Sequence, residues 1–295
     1  MHRGEPANPP LIGGYRLAGL IGSGAIGEVH LAVDSASGQQ VALKVLRLAG
    51  ADAQAQDEAQ RRFIAEADAA RRLVHPDIVR VLAAGVEAGS AWLAMELLAG
   101  CDLERYTRPA RLLPEAVVLR VAERLARALA YAHAGGVIHR DLKPANVMVD
   151  WASDRVTLTD FGLARLADAE RTRTGLVLGT PAYMAPEQLA GAPASTSGDL
   201  YALGVTLFQL LAGRLPHDSA SLGELLRQVA TEPAPDLRRL RPDLPPALAG
   251  LPALVASLLA KRPTERPPGA SALAESLKTL REALEAGPDG PKSRA

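Results

Sequence analysis

The segment His139-Arg140-Asp141-Leu142-Lys143-Pro144-Ala145-Asn146 sets five polar or charged side chains between two short apolar runs, Val137-Ile138 and Val147-Met148-Val149. Burying charge is costly unless every group finds a partner, so the runs read as buried strands and the polar residues as a tight loop at their ends. Loops held in this way are where chemistry concentrates. Asp141 could orient a hydroxyl and accept its proton, and Lys143 could steady a phosphoryl group in transfer. Asn146 and Asp160, the latter opening Asp160-Phe161-Gly162, are two oxygen donors. That is few for an all-protein cage but suits Mg²⁺, which keeps waters and takes phosphate oxygens. Singly, each acid could equally be a loop cap or a surface ion pair.

Upstream, Ile21-Gly22-Ser23-Gly24-Ala25-Ile26-Gly27-Glu28-Val29 places three glycines at G-x-G-x-x-G spacing. Without Cβ atoms, backbone amides can approach phosphate oxygens closely. Alone the pattern is weak, because a dinucleotide-binding fold uses it too, between a strand and a helix. Here Glu28 to Asp34 alternates like a second strand, which favours a strand-turn-strand flap over phosphates with Val29 pointing at a base. Lys44 stands in the apolar run Val41-Ala42-Leu43-Lys44-Val45-Leu46. It could snorkel from a sheet edge. Held by Glu66 of the following helix, it would instead be a fixed cation able to reach a phosphate. Glu58 and Asp68 compete for that role, and Glu66 is preferred for its place beside Phe63 and Ala67 on the inward face.

Two regions of different grammar must position these groups. From Tyr15 to Leu98 short strand-like runs dominate: Tyr15 to Ile21, Glu28 to Val33, Gln40 to Leu46, Ile78 to Leu82 and Ala91 to Glu96, with a turn at Ser35 to Gly38. One helix, Gln54 to Leu73, interrupts them and stops at His75-Pro76. After Gly100 the chain turns helical, with Pro114 to Ala134 closing on Gly135-Gly136 and Leu200 to Leu211 following. The expected fold class is α+β. Residues 1–14 and 283–295 are expected to be flexible ends.

Composition bounds the partners. Lys plus Arg and Asp plus Glu are 33 each, so no bulk field draws the chain to nucleic acid or an anionic surface. The single cysteine, Cys101, forbids an internal disulfide, as suits a reducing, cytoplasmic setting. The first ten residues lack a signal-peptide core. Leu244 to Ala260 carries no charge, but its three prolines and short length favour a buried helix over a membrane span. No repeat of solenoid period is present.

In this order the motifs resemble the eukaryotic-type protein kinase superfamily, most closely its bacterial serine/threonine branch, over residues 15 to about 282. The resemblance implies a two-lobed protein kinase fold: a small antiparallel-sheet N-lobe with one key helix (15–98) and a larger, mainly helical C-lobe (99–282). It implies transfer of the γ-phosphate of ATP to Ser/Thr hydroxyls of protein substrates with Mg²⁺, or Mn²⁺ in its place. Asp141 would be the base, Asn146 and Asp160 would hold metal, and Lys44, paired with Glu66, would contact the α- and β-phosphates. Residues Gly22 to Val29 would cover the nucleotide, with Met95 as gatekeeper, the backbone of Glu96 and Leu98 as adenine hinge, Ala42 in the roof and Met148 in the floor. Ala185-Pro186-Glu187 would end the activation segment with Glu187 bridged to Arg266, and Asp199 would support the catalytic loop.

Lys143 and the run Gly179 to Met184 resemble the Ser/Thr class rather than tyrosine kinases. Arg140 before Asp141 is a ready phosphate partner, with Thr172 and Thr174 as candidate phosphosites. The resemblance also suggests pairing of two N-lobes during activation. Many bacterial relatives continue into a transmembrane helix and sensor domain, which this chain is expected to lack. Gly198 stands where a small polar residue is commoner and is expected to loosen the start of its helix slightly. His139 is expected to be a hydrogen-bonded core histidine. Asp102 could accept a ribose hydroxyl, and Cys101 could lie at the ribose lip. The alternative is a nucleotide-binding pseudokinase or scaffold, whose usual mark is loss of the strand lysine, the catalytic aspartate or the metal aspartate; all three are present.

Overall fold

Alternation along Val41-Ala42-Leu43-Lys44-Val45-Leu46 sends successive side chains to opposite faces of a sheet, and the sheet they build has a core on each side. The computed structural model describes residues 10–24, 27–47, 53–87, 89–161 and 181–287. They fall into two units. In the first, β1 (Leu11–Ile12), β2 (Tyr15–Gly24), β3 (Gly27–Asp34), β4 (Gln40–Arg47), β5 (Val81–Glu87) and β6 (Ser90–Glu96) form an antiparallel sheet in the order β1-β2-β3-β4-β6-β5. Helix α1 (Ala53–Arg71) follows β4.

One face of this sheet packs Ala42, Leu46, Leu93 and Met95 against Phe63, Ala67 and Ala70 of α1. The other gathers Val41, Leu43 and Ala94 with Tyr15 and Trp92. Trp92 is wedged between two glycines. A Cβ on Gly13 would fall 2.2 Å from its indole ring, and one on Gly85 would fall 2.5 Å away. The Gly13 N–H donates to Glu87 Oε2 at 2.7 Å, which ties the entry of the sheet to its far strand.

In the second unit β7 (Cys101–Asp102), β8 (Val147–Asp150) and β9 (Arg155–Leu158) form a small antiparallel sheet in that order. The helices are α2 (Glu115–Ala134), α3 (Pro186–Leu189), α4 (Thr196–Ala212), α5 (Leu222–Thr231), α6 (Leu237–Leu240), α7 (Leu251–Leu258) and α8 (Ala270–Ala286). Helix α4 is buried almost all round from Gly198 to Leu211, as a helix at the centre of a core must be. Its N-cap Ser195 Oγ accepts the Gly198 N–H at 3.1 Å, and it stops at Gly213 in the left-handed region, φ 70°.

Several expected boundaries are corrected. The flexible start assigned to residues 1–14 contains β1, whose Leu11 and Ile12 pair with Arg16 and Tyr15. Two residues are too few to show a period. The strand expected at Ile78 to Leu82 begins at Val81, and residues 75–78 group with the helical unit. There Arg124 Nε donates to Asp77 Oδ1 at 2.8 Å, and the Leu158 N–H donates to the Asp77 carbonyl at 2.9 Å. The second unit opens at Gly100, one residue past the expected 99. The tail assigned to 283–295 begins later, because α8 runs to Ala286 before Gly287 at φ 64°. Among the described residues, no helix is long and apolar enough to cross a membrane.

Candidate active site

In the first unit the glycine pattern forms a β-hairpin. Gly22 pairs with Val29, Ser23 with Glu28 and Gly24 with Gly27, so the strand-turn-strand alternative holds and the strand-helix one does not. Ala25 and Ile26 at its tip lie outside the described residues, and Ile21 is exposed. Lys44 is 7% exposed. Its place in β4 puts it on the face shared by Ala42 and Leu46, the face against which α1 packs. On α1 the inward stripe is Phe63, Glu66, Ala67 and Ala70, of which only Glu66 is polar. The competing acids are engaged elsewhere and exposed: Glu58 pairs with Arg62, and Asp68 with Arg71 at 3.7 Å.

Val29, Ala42, Met95 and Leu98 belong to one apolar cluster, four residues named above for contact with a base. At the exit of β6, Glu96 is clamped to Arg80. Its N–H donates to the Arg80 carbonyl at 3.0 Å, and its Oε1 accepts the Arg80 N–H at 2.9 Å.

In the second unit the polar loop is satisfied group by group. Asp141 Oδ2 accepts from Lys143 Nζ at 2.7 Å and from Asn146 Nδ2 at 2.9 Å, and the same Nδ2 donates to the Asp141 carbonyl at 2.7 Å. The loop is held from behind by Asp199, 2% exposed in the first turn of α4. Asp199 Oδ2 accepts the His139 N–H and faces His133 Nε2, both at 2.8 Å, and Oδ1 accepts the Arg140 N–H at 2.9 Å. Arg140 sits at φ 73°, a left-handed conformation that a non-glycine residue keeps only where its surroundings impose it. Asp199 supplies that imposition.

His139 is fully buried. Its Nε2 lies 2.7 Å from the Thr159 carbonyl, which can only accept, and its Nδ1 accepts the Asp141 N–H at 3.3 Å. Nε2 is therefore the donor of the ring and Nδ1 its acceptor, and the ring meets Phe161 edge-on at 4.6 Å. Thr159 also donates its N–H and Oγ1 to the Asn146 carbonyl at 2.9 and 3.1 Å, and Asp160 follows at φ 63°. Met148 and Asp102 are paired across β7 and β8. Cys101 is half-buried, with its Sγ 3.6 Å from Tyr106 Oη, which accepts the Trp151 indole N–H at 2.8 Å.

The oxygen donors fit a hard cation. With its nitrogen committed to Asp141, Asn146 can offer only its Oδ1 as a ligand oxygen, and Asp160 adds a carboxylate. Among the described residues no group of three His, Cys, Asp or Glu could hold a metal by itself, so a cation here would need oxygens from water and phosphate, as Mg²⁺ prefers.

Glu187 and Arg266 form the expected bridge, bidentate at 2.6 and 2.7 Å, with Arg266 over the Tyr201 ring at 5.0 Å. Gly162, Thr172, Thr174, Gly179 and Thr180 lie outside the described residues. Sequence reasoning missed His133, Thr159, the Asp77 to Arg124 pair and Gln188. His133 was within reach as a polar residue in the last turn of α2, whereas Thr159 acts mainly through its backbone and leaves no signal.

The description "Protein kinase domain" belongs to a family model that matches residues 15–277. The serine/threonine-protein kinase pkn3 of Myxococcus xanthus is 40% identical over 278 residues, covering 90% of this chain and 50% of its own length. The serine/threonine-protein kinase PknJ of Mycobacterium tuberculosis is 40% identical over 260 residues, covering 86% of this chain and 43% of its own. PrkC of Bacillus subtilis, a serine/threonine-protein kinase, is 34% identical, with 92% and 41% covered. The chain thus spans half or less of the length of these relatives. A crystal structure of Rad53 1-466 in complex with AMP-PNP superposes with a TM-score of 0.73 at 24% identity, over 90% of this chain and 65% of that one; this likeness speaks for the fold.

Proposed function

The chain belongs to the protein kinase family, on its bacterial serine/threonine branch, and on that premise we propose that it transfers the γ-phosphate of ATP to serine and threonine hydroxyls of proteins. Carrying the proposal is the carboxylate of Asp141, whose Oδ2 already receives Lys143 and Asn146 while Asp199 fixes the loop beneath it. The substrate hydroxyl attacks the γ-phosphorus, its proton passes to Asp141, and the bond to the bridging oxygen breaks to leave ADP. Lys143 stays beside the phosphoryl group and offsets its charge. Lys44, oriented by Glu66, holds the α- and β-phosphates; Gly22 to Val29 cover them; Val29, Ala42, Met95 and Leu98 contact the base, and Met148 is a further base contact. Asn146 and Asp160 would hold a divalent cation, Mg²⁺ before Mn²⁺, which would neutralise phosphate charge when bound.

Phosphate on Thr172 or Thr174, placed by the chain itself in trans, would pair with Arg140, with two copies meeting through their sheet units. The test is the purified chain with ATP and Mg²⁺, scored for phosphate on itself and on a generic basic protein. Asp141→Asn should cost about 10²- to 10⁴-fold in rate, the usual contribution of a positioned base, at an unchanged melting temperature. Nucleotide-dependent melting with no transfer by the parent chain would replace this reading with a pseudokinase.

A further inference from the structure

Gly198 occupies the first turn of α4, directly before Asp199, and is buried. It has a neighbour that a helix-loosening glycine would not need. A Cβ built on it would lie 2.9 Å from Gln188 Oε1 and 3.1 Å from Gln188 Cδ, so the carboxamide of Gln188 fills the space a side chain would take. That carboxamide is fixed, because Oε1 accepts the Ala185 N–H at 3.1 Å while the Gln188 N–H donates to the Ala185 carbonyl at 2.9 Å. Three consecutive residues of α4 are thereby engaged. The Ser197 carbonyl accepts from Arg266 Nη1 at 3.0 Å, the same nitrogen that binds Glu187; Gly198 receives Gln188; Asp199 receives the loop amides of His139 and Arg140. Gln188, Gly198, Asp199, Arg140 and Asp141 line a single small cavity.

We infer that Gln188 is a positioning residue for the transfer: through its seat on Gly198 it sets the helix turn that presents Asp199 to the loop of Asp141, and so couples the end of the activation segment to the catalytic loop. This rests on the transfer reading above. Helix propensity alone makes the opposite prediction for Gly198→Ala, since alanine in a helix is better than glycine. The seat on Gln188 predicts damage, because buried neighbours in contact couple strongly.

The experiment compares the parent, Gly198→Ala, Gln188→Ala and the double variant by transfer kinetics and by hydrogen exchange of the His139 and Arg140 amides. Gly198→Ala should lower kcat on the order of tenfold, the size of a contact-pair coupling, leave KM for ATP unchanged, and speed exchange at both amides. Gln188→Ala alone should shift kcat and exchange in the same direction, and in the double variant the combined loss should fall short of the sum of the two single losses. Parental kcat and exchange in Gly198→Ala or in Gln188→Ala, or losses that simply add in the double variant, overturn the inference. If Gly198→Ala does not fold, recovery of folding in the double variant supports the coupling and continued unfolding overturns it. Exchange is read without ATP, so a parent chain that transfers no phosphate removes the transfer reading while the coupling is still decided by the amides.

Discussion

At the scale of single residues, position is set by what each group can donate or accept. His139 is held by a carbonyl on one side and an N–H on the other, and its neighbour Asp141 receives both side-chain donors on one oxygen. A second buried histidine shows how the same logic governs stability. His217 Nε2 lies 3.2 Å from Lys261 Nζ, which also donates to the Val229 carbonyl at 2.7 Å. Burial first and the Lys261 ammonium second push His217 down to about 4, with Glu232 partly offsetting them. An unfolded imidazole titrates near about 6.5, so between these values the unfolded chain binds a proton that the folded chain does not. Stability should therefore fall as pH drops through that window. His217→Gln keeps an acceptor for Lys261 and loses the titration, so its melting temperature should decline less from pH 6.5 to 4 than the parent's. Parallel calorimetric profiles for the two would contradict this.

At the scale of elements, α4 is the part that the rest of its unit is built upon. Asp199→Ala would leave the His139 and Arg140 amides and the His133 ring without this partner. It should cost about 1–3 kcal/mol for each buried group left unsatisfied, and denaturant unfolding should show it as a lower midpoint. In the sheet, Gly85→Ala drives a methyl into Trp92. The expected loss is about 1–3 kcal/mol, as for overpacking a core, with Val86→Ala beside it as a milder control. Elements of this kind were legible to differing degrees. Helix α1 and strands β2, β3, β4 and β6 follow from periods of 3.6 and 2, and the inward place of Glu66 followed from Phe63 and Ala67. Strand β5 was misplaced because Ile78 and Val79 look the same whether they pair in a sheet or sit in an anchored loop. What decides is Arg124, 47 residues away from Asp77, and no local pattern encodes that distance.

At the scale of the whole molecule, equal numbers of positive and negative residues remove any general attraction and leave recognition to local groups. The candidate catalytic residues were readable because they lie in short ordered motifs; Asp199 behind them was reached only through the resemblance, and His133 was missed because it meets Asp199 66 residues away. Each unit also carries one of the two tryptophans. Trp92 is wedged between glycines, whereas Trp151 is 38% exposed and edge-on to Tyr106 at 5.8 Å. Intrinsic fluorescence is therefore already divided between the units. Trp151→Phe should move the emission maximum to the blue and Trp92→Phe to the red, and with either substitution the remaining indole becomes a native lamp for one half of the protein, lit without any attached dye.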